Sequence, residues 1–153
     1  MAANHHVFVL TLFALALSSI PLATLADSGT ATFYQQYVPS ACYGSQPQGV
    51  MIAAASDAFW AGGAACGSTY RVTCIGAAYS GIQDPCTGRS VEVRIVDHCP
   101  GGCAGTIDLS KEAFETIADP VAGIVKVTYN RYMRDKISQQ SKTVLILLGP
   151  IIR

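Results

Sequence analysis

Val96-Asp97-His98-Cys99-Pro100-Gly101-Gly102-Cys103-Ala104-Gly105-Thr106-Ile107-Asp108-Leu109-Ser110 brings two carboxylates, two cysteines and a glycine-rich loop into fifteen residues. Asp97 directly follows one strand, Asp108 lies within a second that covers Thr106 to Leu109, and Ser110 stands where a helix cap belongs. The chemistry-bearing residues of the chain therefore gather around one loop and its two flanking strands.

Upstream, Ser90 to Val96 alternates Val91, Val93 and Ile95 with Glu92 and Arg94, the period-two pattern of a strand buried on one face. Further runs of strand character cover Gly29 to Tyr34, Val50 to Ala54, Tyr70 to Cys74 and Ile124 to Tyr129. Downstream, Lys111 to Ala118 reads as the main helix. Ser110 caps it, Glu112 occupies its first turn, Ala113, Phe114, Ile117 and Ala118 form an inward face, and Asp119-Pro120 with Gly123 stops it. A short helical turn is expected near Asp57 to Trp60, capped by Ser56 or Asp57. Many short strands, one main helix and frequent glycine indicate a small closed β-barrel with few exposed edges.

The first 26 residues read as a secretory signal peptide, with an apolar run from Val7 to Leu17 and a small-residue processing site ending at Ala26. Cleavage there leaves 127 residues, the size of a single domain. The six cysteines, Cys42, Cys66, Cys74, Cys86, Cys99 and Cys103, all follow that site, an even set that predicts three disulfides in an oxidising compartment. Counting alone leaves fifteen pairings open. A zinc site at Cys99-x-x-x-Cys103 lacks the four ligands at matching spacing that structural zinc requires.

The formal net charge of zero divides into −4 from Asp27 to Asn130 and +4 from Arg131 to Arg153. Neither part carries the basic stripe of a nucleic-acid binder. The tail from residue 131 to 153 is basic and then apolar, broken by Gly149-Pro150, and is too short to span a bilayer.

Gly29-Thr-Ala-Thr-Phe-Tyr34, Ala41-Cys42-Tyr43-Gly44, Phe59-Trp60-Ala-Gly-Gly-Ala-Ala-Cys66-Gly67 and the quoted loop resemble the expansin, barwin and family-forty-five endoglucanase superfamily in order and spacing. Within it, Asp57-Ala-Phe-Trp60, Tyr70-Arg-Val-Thr-Cys74 and Ile107-Asp-Leu-Ser-Lys-Glu-Ala-Phe114 are similar to the plant natriuretic peptide-like group, also described as having an endoglucanase-like domain. The resemblance covers about Gly29 to Asn130. It implies an all-β, six-stranded double-psi β-barrel with small helical additions over residues 27–130, a single disulfide-stabilised domain with a groove across one face. It also implies the pairing Cys42–Cys66, Cys74–Cys86 and Cys99–Cys103.

The superfamily's inverting glycosidases need a protonated carboxyl and a second carboxylate about 6.5–9.5 Å away. Asp108 matches the acid. The base is expected in a first-strand pattern resembling Thr-x-Tyr-x-Asp, and here Thr32-Phe33-Tyr34-Gln35-Gln36 places an amide at that position. Gln36 cannot take a proton from water, so no residue is assigned as catalytic.

The resemblance then implies a secreted, non-hydrolytic signalling protein of the apoplast and cell wall, involved in water and ion balance. Thr32, Tyr34, Asp97 and Asp108 are the groove candidates, and Tyr37, Tyr43, Phe59 and Trp60 the partner-binding candidates. The alternatives are a wall-polysaccharide-binding expansin-like module and a weak glycan-cleaving enzyme. The expected partner is a cell-surface receptor or wall polysaccharide, with no nucleic acid, no membrane span in the mature protein, no cofactor and no metal. A monomer is expected.

Overall fold

A computed structural model describes residues 26–101 and 103–132; the signal peptide read in the first 26 residues falls, but for its last residue, outside the described residues, as does the tail from 133 onward. Six strands close into a barrel: β1 (Asp27–Tyr34), β2 (Ile52–Ala55), β3 (Thr69–Ala77), β4 (Ser90–His98), β5 (Ile107–Ser110) and β6 (Val125–Arg131). Around the barrel they run β1-β5-β2-β4-β3-β6. The β1–β5 and β2–β4 pairs are parallel and the other four neighbouring pairs antiparallel. This is the all-β, double-psi architecture the resemblance implied. Among the described residues two short α-helices accompany it, α1 (Asp57–Trp60) and α2 (Lys111–Ile117), each followed by a single 3-10 turn. Among the described residues no helix is long and apolar enough to cross a membrane.

The core fills the barrel and the space beneath α2. Val72, Val93, Ile95, Ile107, Leu109 and Val127 point inward from the strands, and Phe114 and Ile117 close one side from α2. Ser110 starts that helix as expected, its hydroxyl accepting the Ala113 N–H at 3.2 Å. The same hydroxyl donates to the Val50 carbonyl, joining the helix start to the residues before β2.

Two register slips shape the surface. Ala53 of β2 faces Ile95 but Ala54 faces Asp97, so β4 carries one extra residue and both Ile95 and Val96 are buried. A one-residue slip exchanges the faces of everything beyond it. Without it, Asp97 would continue the inward series of Val93 and Ile95. A second slip between Cys74 and Gly76 of β3 leaves Ile75 outside the pairing and 55% exposed.

The disulfides are Cys42–Cys66, Cys74–Cys86 and Cys99–Cys103, the pairing the resemblance implied. The last one consumes both thiols that a zinc site would have needed. Several local expectations change. The strand read from Ser90 to Val96 runs on across its bulge through Asp97 to His98, which pair with Ala54 and Ala55. The second strand begins at Ile52, not Val50, because Val50 and Met51 are exposed and the Val50 carbonyl is taken by Ser110. The third continues past Cys74 to Ala77, carried across its bulge. Ser56 precedes α1 without a side-chain capping bond, and the Asp57 carboxylate turns elsewhere.

Candidate functional site

Four neighbouring strands place one residue each in a row on the outside of the barrel. Thr32 of β1 is in register with Asp108 of β5, Asp108 with Ala54 of β2, and Ala54 with Asp97 of β4. Ala31, Ile107, Leu109 and Ala53, the neighbours of Thr32, Asp108 and Ala54, belong to the core, and the β4 bulge brings Asp97 onto the same outward face. Strand alternation therefore directs the row outward. Ala54, the smallest of the four, forms a floor between the two aspartates.

Thr32 Oγ1 donates to Asp108 Oδ1 at 2.6 Å. Burial raises the Asp108 carboxyl above the ordinary aspartate range, the negative charge of Asp97 adds to the rise, and the Thr32 bond opposes it. Asp97 stands two strand spacings away, about 10 Å between backbones. Its Oδ1 accepts the N–H groups of Ala41 and His98, each at 2.8 Å.

Tyr34 lies two residues along β1 from Thr32, on the same face. Its hydroxyl is buried and has no hydrogen-bond partner among the described residues. Burial, followed by the charges of Asp97 and Asp108, holds this phenol well above the usual tyrosine range. The ring meets Tyr37 edge-on, centroids 5.3 Å apart. Tyr37 in turn donates to the Glu112 carboxylate and accepts the Lys111 N–H at 3.3 Å. Glu112 is held below its ordinary value chiefly by that phenol.

The four partner-binding candidates do not share one surface task. Phe59 packs against Tyr70 and Tyr129, with centroids 4.8 and 5.3 Å away, at the edge of the core. Tyr43 lies beneath the Arg94 guanidinium, 4.8 Å from its ring centre, and accepts from Arg94 Nη2 at 2.7 Å. Trp60 stacks on His98. Gln36 is exposed and lies beyond the end of β1.

Residues 52–129 match the family model described as lytic transglycolase. An EG45-like domain containing protein of Citrus jambhiri is 53% identical over 124 residues, which cover 80% of this chain and 95% of that relative. The chain belongs to the EG45-like domain proteins of the expansin–barwin superfamily. This EG45-like chain is also 34% identical to Expansin-B4 of Arabidopsis thaliana over 86% of its own length and 59% of that protein. Among solved structures, a mutant Clavibacter michiganensis expansin in complex with cellohexaose matches with a TM-score of 0.55 and 28% identity, over 71% of this chain. The EG45-like chain spans about half, 51%, of that expansin.

Two residues of the EG45-like barrel's outer surface escaped the sequence reading. Asp57 looked like a helix cap and His98 like a loop residue, yet they meet at 2.8 Å. They are 41 positions apart, and no local pattern connects them.

Proposed function

We propose that this EG45-like protein acts outside the cell as a non-hydrolytic polysaccharide-binding module, holding a glycan chain along the Thr32–Asp108–Ala54–Asp97 row. The observation that carries the reading is the Thr32–Asp108 pair, a half-buried hydroxyl and carboxyl bonded at 2.6 Å on an outward row. The carboxylate oxygens accept hydrogen bonds, one of them already taking the Thr32 hydroxyl, and are suited to accept from sugar hydroxyls. The cellohexaose complex of the related bacterial expansin supports a β-glucan as ligand class. Three disulfides favour an oxidising, extracellular setting, here the apoplast and wall.

The same residues argue against two-carboxylate hydrolysis. Gln36 offers an amide at the base position, and Asp97 Oδ1 is engaged by two backbone N–H groups. Binding to insoluble cellulose by depletion, and to cellohexaose by calorimetry, tests the reading with Asp108→Ala and Thr32→Val alongside. Saturable binding weakened by both substitutions, without sugar products, supports it. New reducing ends or anhydro-sugars that disappear in Asp108→Ala make the protein a glycan-cleaving enzyme instead.

A second reading is the signalling role in water and ion balance, acting through a cell-surface receptor and cyclic GMP. It is favoured by the Cys42–Cys66 bridge, which pins the segment containing Tyr43 to the end of the turn that follows Trp60. A cyclic GMP rise in responsive cells, retained by Asp108→Ala and lost when Tyr43 and Trp60 are replaced, would favour it over the groove.

A further inference from the structure

One organised cluster lies beside the row. His98 ends β4 directly after Asp97, and its ring lies flat on the Trp60 indole, centroids 4.6 Å apart and planes 8° from parallel. His98 Nε2 is 2.8 Å from Asp57 Oδ1, and Asp57 Oδ2 accepts the Gly101 N–H at 3.1 Å. A carboxylate only accepts, so Nε2 carries the proton in this pair. A single carboxylate on α1 thus holds both the end of β4 at His98 and the β4–β5 loop at Gly101. That stretch bears directly on the row, because Asp97 Oδ1 accepts the N–H of His98 itself.

We propose that Asp57 is a positioning residue for the polysaccharide row, holding His98 and Gly101 so that Asp97 keeps its place at the row's end. This rests on the polysaccharide-binding reading above. Both Asp57 oxygens are used, one on the His98 ring and one on the Gly101 N–H, and the Trp60 indole holds the ring flat.

The test compares the full chain with Asp57→Asn and His98→Gln by depletion onto microcrystalline cellulose and by amide exchange of the Gly101 N–H, with thermal unfolding as the check on folding. Asp57→Asn keeps the shape, but it removes the charge and one of the two acceptor oxygens. The expected result is binding about five-fold weaker in both variants, with their unfolding cooperative and the Gly101 N–H exchanging faster in Asp57→Asn than in wild type. If Asp57→Asn lowers the thermal midpoint sharply, amide exchange of the Gly101 N–H near neutral pH replaces it as the readout, and protection equal to that of wild type overturns the proposal. Wild-type affinity retained in Asp57→Asn would overturn the proposal and leave the polysaccharide reading standing. Wild-type chain that binds no cellulose would overturn the polysaccharide reading and this one with it.

Discussion

Asp108 sits between opposing influences: burial and Asp97 favour its neutral form, and the Thr32 hydroxyl favours its charged form. Burial prevails, so its titration in the folded protein lies above that in the unfolded chain. The linked stability is then fully present at low pH, below the unfolded value, and is lost as pH rises through the folded value. Asp108→Asn removes that loss. We expect the variant to unfold at a higher temperature than wild type at neutral pH, with the gap closing near pH 3; a scanning calorimetry series showing an equal gap at both pH values would contradict this. Thr32→Val withdraws the one influence that favours the carboxylate, so the Asp108 carboxyl carbon should titrate higher still by NMR. Thr32 and Asp108 were legible in the sequence because each stands in a run of recognisable order. Asp57 and His98 were not, since contact between residues 41 apart depends on a turn of α1 that neither residue specifies.

Strand β4 was legible because Val91, Val93 and Ile95 alternate with polar residues, and its bulge was not, because nothing in Ile95-Val96-Asp97 marks where a register slips. Yet that bulge is what turns Asp97 outward, so the site depended on the least visible feature of the element. The sequence pattern starts β2 two residues early for a related reason: Val50 and Met51 have strand character, but their surroundings leave them exposed. Element boundaries also rest on close contacts that composition hides. A Cβ at Gly29 of β1 would lie 2.3 Å from Thr106 Oγ1 and 2.8 Å from Thr106 Cβ. Gly29→Ala should therefore part β1 from the residue that precedes β5 and cost about 1–3 kcal/mol in urea unfolding. At the other end of β5, Ser110→Ala loses both the α2 cap and the bond to the Val50 carbonyl. A loss of about 1–2 kcal/mol is expected, and a change of a few tenths would show that water replaces both partners.

The closed barrel needs its three bridges unequally. Its strands pair across long stretches of sequence, β1 with β5 and β6 above all, so few contacts form before the chain has closed large loops. The Cys42–Cys66 bridge spans 24 positions and ties the segment after β1 to the end of the turn following α1. Cys74–Cys86 spans 12 and anchors β3 at its bulge, while Cys99–Cys103 spans only 4. Chain-entropy arguments assign them roughly 3.5, 3 and 2 kcal/mol in that order. Paired Cys→Ser replacement should follow the same ranking in denaturant midpoint, with Cys42/Cys66 the most costly. The Cys99–Cys103 bridge closes the loop between the strands bearing Asp97 and Asp108, so its removal should act unevenly. Glycan affinity should fall further than its modest stability loss accounts for, because the row's two carboxylates lie on either side of that loop. A Cys99→Ser/Cys103→Ser variant that loses stability in the ranked order yet binds cellulose as wild type does would show that the loop holds the barrel together without shaping the row.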